Sequence, residues 1–132
     1  MFTGIPHTDI DAVWDEVLPW VELACKRMRG RMYPEDIKKF LNDRAMQLWT
    51  FRDVHGVAAI CVTEIINYPQ KKYCRIFIGS GRNRKDWQNH RKTIENWAQS
   101  EGCDGVESMA RMGWGKIFDD YKQTHIVLEK EF

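Results

Sequence analysis

The chain has 132 residues, of which 43% are hydrophobic and 30% charged, with a formal net charge of +1. That length suits one domain, residues 1–132, built around a single core, and the charged share argues against fibrous and membrane classes. No apolar run approaches the roughly 20 residues that span a bilayer, and the near-neutral balance makes no overall case for nucleic acid.

The opening residues, MFTGIPHTDID, lack the basic start and apolar core of a secretory leader, so a cytoplasmic location is expected. Thr8 stands where an N-cap belongs, with Asp11 three positions on as a weak capping-box partner. Ile10, Val13, Trp14, Val17, Val21 and Ala24 then recur at helical spacing. Pro19 interrupts the pattern and predicts a kink or two abutting helices, closed by Gly30. A shorter helix opens at Pro34, a first-turn proline, and is expected to bury Ile37, Phe40 and Leu41.

The period then changes. Residues 45–52 (AMQLWTFR) read as a strand, and residues 53–56 as a turn. Residues 57–68 (VAAICVTEIINY) form a β-rich, nearly continuous apolar run, and residues 73–78 (YCRIFI) a third strand. Short connections imply an antiparallel meander, and the unbroken apolarity of the middle strand predicts helices on both faces of the sheet. Gly79-Ser80-Gly81 reads as a turn leading into a basic loop. Residues 86–99 predict one amphipathic helix capped by Asp86, with Trp87, Arg91, Ile94, Trp97 and Ala98 inward and Gly102 as its stop. A strand over 106–110, a helix over 113–122 and a strand over 125–132 complete an α/β domain with a mixed sheet.

The cysteines (25, 61, 74 and 103) form no C-x-x-C pair and three lie in or beside apolar segments, so buried free thiols are expected. The four histidines are equally dispersed, and no metal site is inferred. Arg82, Arg84, Lys85, His90, Arg91 and Lys92 make a local basic stretch that borders the Gly-Ser-Gly junction. Glu64, flanked by Val62, Thr63, Ile65 and Ile66, is the best candidate for a general base, with pairing to Arg75 as its structural alternative.

This order of elements resembles the GNAT superfamily of N-acetyltransferases. Local wording agrees: Glu95-Asn96-Trp97-Ala98 followed by Glu101-Gly102-Cys103 looks like the end of that family's cofactor-side helix. Ala110-Arg111-Met112-Gly113-Trp114 with Phe118 resembles its C-terminal arm, in the form familiar from small GNAT-like proteins of tailed bacteriophages.

The resemblance implies acetyl-CoA in a splay between the fourth and fifth strands and an amine-bearing acyl acceptor. The backbone from Ile76 through Phe77 and Ile78 to Gly79 would position the pantetheine arm. Gly79 and Gly81 would let the phosphates approach, and Arg82, Arg84 and Lys85 would neutralise them. Glu64 would act through a water. The chain departs from the family pattern in placing both glycines before the basic residues. It also puts Phe118 where the family's proton-donating tyrosine belongs, which leaves Tyr121, nearly one helical turn on, to supply that proton. These departures motivate two alternatives. One is a non-catalytic module of the same fold that binds a protein partner, as a phage virion or host-takeover component, with Trp20 and Trp49 as interface residues. The other is nucleic-acid binding through residues 82–92, with Trp87 as a stacking platform.

Overall fold

The computed structural model describes residues 1–110 and 119–132. A five-stranded sheet runs in the order β1 (Phe2–Ile5), β2 (Gln47–Asp53), β3 (Gly56–Asn67), β4 (Lys72–Gly81) and β5 (Gly105–Ser108). Neighbours are antiparallel except β4 and β5, which are parallel. Helices α1 (Ile10–Lys26) and α2 (Pro34–Asn42) cover one face, and α4 (Arg91–Ser100) packs on the other. Between β4 and α4 the chain makes a four-residue helix α3 (Arg84–Trp87) and a 3₁₀ turn over Gln88–His90.

Two cores follow from this layering. Ile10, Val17, Val21, Ile37, Leu41, Leu48, Ile60, Val62 and Ile78 join on the α1/α2 side. Trp49, Cys61, Cys74, Ile76, Ile94 and Ala98 join on the α4 side. β3 therefore alternates between two buried faces, which is why its sequence is apolar almost throughout.

Several elements differ from expectation. β1 was not legible, because four residues containing Gly4 carry little strand signal. The glycine is required there by the Trp49 ring, 3.3 Å from where a Cβ would sit. Pro19 lies inside an unbroken α1. The proline is exposed, so the carbonyl it leaves unpaired is free to turn to water. The first helix begins after a 3₁₀ turn over His7–Asp9, with no side-chain cap from Thr8. In α2, Tyr33 N–H donates to Asp36 Oδ2 at 2.9 Å, and Ile37 and Leu41 are buried, whereas Phe40 is exposed. Trp49 is buried rather than interfacial, and Trp20 is half-buried against the α1-side core. Trp49 Nε1 donates to Thr63 Oγ1 at 3.0 Å, and Trp20 Nε1 to Val57 O at 3.1 Å.

The Gly-Ser-Gly segment is strand, not turn: Gly79, Ser80 and Gly81 pair with Cys61, Ile60 and Ala59. The single helix expected over 86–99 is broken, because two aromatic anchors override helix propensity. Trp87 turns back to donate its indole N–H to Arg82 O at 2.8 Å, and the His90 ring stacks on Phe2 at 5.5 Å. The helix expected over 113–122 lies largely outside the described residues, and 119–122 are not helical. The strand expected over 125–132 is not formed. Ile126, Val127 and Leu128 are exposed and make no ladder among the described residues, while Glu129 ties the segment to Arg29 and Arg31 at 2.8 and 3.4 Å.

A Cβ on Gly81 would stand 2.4 Å from Ala59 Cβ and 2.6 Å from Ala58 O, whereas one on Gly79 meets nothing within 4 Å. Gly81→Ala should therefore lower the melting temperature by about 4–12 °C through overpacking against β3, and Gly79→Ala should leave it within about 2 °C. Thermal unfolding of the two variants side by side checks this.

Candidate functional site

A register slip in β4 shapes the site. Val62 pairs with Ile78 and Thr63 with Ile76, so Phe77 is an extra residue opposite the β3 ladder. Strand side chains alternate faces with period two, yet Ile76 packs on the α4 side and Ile78 on the α1 side. The bulge at Phe77 accounts for the switch. It also bends β4 where its parallel partner ends. The β4–β5 register runs from Tyr73–Gly105 to Ile76–Ser108 and goes no further. Ser108 Oγ donates to Ile76 O at 3.1 Å, closing the last rung.

Beyond that rung the strands part around a cleft of about 180 Å³. Phe77, Ile78 and Gly79 form its β4 wall, and Met109 and Ala110 its β5 wall. Met28 lines it from the α1 side, and Trp87 and Ile94 from the α4 side. The cleft is smaller than the roughly 300–1,000 Å³ of drug-sized ligand sites.

The expected site residues separate into groups. Ile76, Phe77, Ile78 and Gly79 all line the cleft. Gly81, Arg82, Arg84 and Lys85 do not. The missing Cβ of Gly81 serves the close approach of β3. Arg82 is clamped away from the junction: its Nη2 donates to Asp53 Oδ1 at 2.9 Å, and its guanidinium lies 6.0 Å over the Trp20 ring. Arg84 and Lys85 are exposed on the short α3, and Asp86 lies inside that helix rather than capping a longer one. Trp87 is buried, which removes it as a stacking platform for nucleic acid.

Glu64 pairs in register with Arg75, one rung below the last β4–β5 rung, and does not line the cleft. Arg75 lies 3.5 Å from Glu64 Oε1 and 3.2 Å from Glu107 Oε1, and Tyr68 OH donates to Glu107 at 2.8 Å. Tyr121 OH donates to Glu95 Oε2 at 2.6 Å. Burial, then this hydrogen bond and the carboxylate's charge, push the Tyr121 hydroxyl well above its usual range. Arg91 lines the cleft from α4, held by Asp120 at 2.9 Å and facing Glu95 at 4.0 Å.

Several cleft residues were not singled out from the sequence, among them Phe2, Arg27, Met28, Ser108 and Met109. Arg27 and Met28 follow the last residue of α1 and carry no motif. Cys61 was read only as a buried thiol, and burial pushes it up to about 12, so the cleft offers no thiolate nucleophile there at neutral pH. Cys25 and Cys74 are also buried and free. Among the described residues, no three or more His, Cys, Asp or Glu side chains gather as a metal set. No described helix is long and apolar enough to cross a membrane.

Asp53 Oδ1 accepts from both the His55 backbone N–H, at 2.8 Å, and Arg82. The backbone donor first, and then the Arg82 guanidinium, hold this carboxyl below its usual value. A depressed carboxylate stabilises the fold above its unfolded pKa, near 4, and loses that contribution as pH falls through the folded value. Asp53→Asn should therefore lower the melting temperature at pH 7 and flatten its decline between pH 5 and 3, measured by thermal unfolding across that range.

No protein-family model matches the chain, and no curated protein does. Solved structures do match. The aminoglycoside acetyltransferase meta-AAC0020, from an uncultured soil metagenomic sample, superposes with a TM-score of 0.71 at 10% identity, covering 100% of this chain and 95% of that one. Ribosomal-protein-alanine N-acetyltransferase from Brucella melitensis biovar Abortus 2308 gives 0.69 at 10% identity, covering 98% and 99%. A possible acetyltransferase from Clostridium difficile 630 gives 0.65 at 12% identity, covering 100% and 97%. The chain has the fold of the GNAT acetyltransferases.

Proposed function

We propose that the chain is an acyl-CoA-dependent N-acyltransferase that holds the pantetheine arm between the parted ends of β4 and β5. The observation that carries this reading is the Phe77 bulge. It leaves the β4 main chain from Phe77 to Gly79 without a β5 rung, beside a narrow apolar cleft. Peptide groups at such an edge suit an extended amide-bearing chain, which adds to it much as a strand would. The solved structures of the same fold include enzymes named for acetyl transfer to aminoglycosides and to a ribosomal-protein alanine, which supports an amine as acceptor.

The residues fit the cofactor unevenly. Phe77, Ile78 and Gly79 would hold the arm, and Ile94, Met28 and Met109 would exclude water around it. Arg84 and Lys85 would meet the phosphates through their side chains, because Arg82 is engaged with Asp53 and the four-residue α3 adds little dipole. When bound, acyl-CoA supplies an acyl group activated as a thioester. The high pKa of Cys61 argues against relay through an acyl-cysteine and for direct attack by the amine. Glu64, ion-paired one rung below the split, would take the amine's proton only through an intervening water. Tyr121, held on Glu95, braces α4 against the segment that follows β5.

Acetyl-CoA at 100 times its dissociation constant should stabilise the chain by about 2.7 kcal/mol, seen as a raised melting temperature. Gly79→Leu, which puts a side chain into the cleft where a Cβ has room, should keep the unliganded melting temperature and lose the shift. No shift for the unmodified chain at millimolar acetyl-CoA would remove this reading and favour a non-catalytic, partner-binding module of the same fold.

A further inference from the structure

Two guanidiniums and no carboxylate line the cleft among the described residues. The two arginines are not equivalent. Arg91 on α4 is matched by Asp120 at 2.9 Å. The nearby Arg29 and Arg31 are matched by Glu129. Arg27, which lines the cleft from the end of α1, has no acidic partner among the described residues. Among the described residues it is thus the cleft's unmatched positive charge.

Its position along the cleft is informative. Trp20 lies over Arg82, at the phosphate end of β4, and Arg27 follows seven residues later. Two helical turns place it about 10 Å further along α1, toward the split at Ile76 and Ser108. A cation there lies away from the junction where Arg84 and Lys85 would meet phosphates. The pantetheine arm is uncharged and leaves this charge unanswered. A guanidinium bordering apolar walls formed by Met28, Ile78 and Met109 favours a planar anion that it can grip with two N–H groups.

We propose that Arg27 reads a carboxylate at the acyl end of the cleft, carried either by the acyl group itself, as in a dicarboxylic mono-thioester, or by the acceptor, as in an amino acid. This rests on the acyl-CoA reading for the orientation of the cleft, but not for the presence of the charge. Arg27 is a specificity determinant here, and no proton transfer is assigned to it.

The test uses the full chain and two matched pairs. One compares succinyl-CoA with butyryl-CoA, which share a four-carbon acyl chain, by isothermal titration. The other compares leucine with leucinamide as acceptors of acetyl-CoA, by thiol release. The carboxylate member of at least one pair should be favoured about tenfold, and the pair that discriminates identifies the source. Arg27→Gln should reduce that ratio below about twofold, and Arg27→Lys, which keeps charge but loses the fork, should leave an intermediate ratio.

Discrimination in neither pair, or a preference that survives Arg27→Gln, overturns the proposal while acetyl-CoA binding stands. If acetyl-CoA does not bind, the cofactor reading fails by itself. Free succinate against succinamide, titrated into the unmodified chain and Arg27→Gln, then decides the carboxylate site. An Arg27-dependent preference upholds it, and equal binding removes it.

Discussion

One extra residue in a ladder governs the geometry of this molecule. Without the bulge at Phe77, β4 would keep a single alternation from Lys72 to Gly81, and Ile76 and Ile78 would share a face. With it, each isoleucine seals a different core, and the extra residue falls immediately past the last β4–β5 rung. The two cores and the cleft between them are therefore consequences of the same local event. A bulge costs ladder hydrogen bonds. Here Ile76, Ile78 and their partners on α4 and α1 offset that cost by burying apolar surface on both sides of the sheet, at roughly 25 cal/mol per Å².

The charges are distributed around that split in a way that fixes what each end can do. At the end of β4, Arg82 is committed to the β2–β3 turn. Asp53, His55 N–H, Arg82 and Trp20 form one assembly that holds the hairpin, α1 and the end of β4 together. On the paired side of the split, Arg75 stands between Glu64 and Glu107 and is saturated by them. Among the described residues, Arg27 at the α1 end is the cation that meets the cleft without a matching acid.

Much of the architecture was readable in the sequence because it follows from periodicity. The helical spacing from Ile10 to Ala24, the apolar continuity of 57–68 and the first-turn Pro34 gave α1, β3 and α2, and the continuity predicted helices on both faces. The cleft residues Ile76 to Gly79 were named through the family resemblance, which implies a pantetheine arm along the fourth strand. What was not readable depended on contacts distant in sequence. β1 exists because Gly4 lies against Trp49, and Gly79-Ser80-Gly81 stays in the ladder because Gly81 lies against Ala59. The break before α4 arises where Trp87 reaches back to Arg82 and His90 stacks on Phe2. A glycine pair followed by basic residues looks the same on paper whether the glycines admit a phosphate or a neighbouring strand.

That ambiguity bears on how the chemistry of the cleft is to be read. A glycine that admits phosphate leaves its amides facing solvent, whereas here the main chain at Gly79 to Gly81 belongs to the β3 ladder, and Arg82 N–H donates to Ala58 O at 2.9 Å. The recognition of any bound cofactor would then shift from its phosphates toward its pantetheine and acyl portions, where the β4 edge and the apolar walls lie. Binding that relies on main-chain pairing and apolar burial is less sensitive to salt than binding through a phosphate cradle, since screening acts chiefly on exposed charges. The same shift raises the weight of whatever reads the acyl end. In a site with a weak phosphate grip, an unmatched guanidinium beside the reactive portion would contribute a larger share of the discrimination between ligands, and Arg27 lines the cleft from the end of α1.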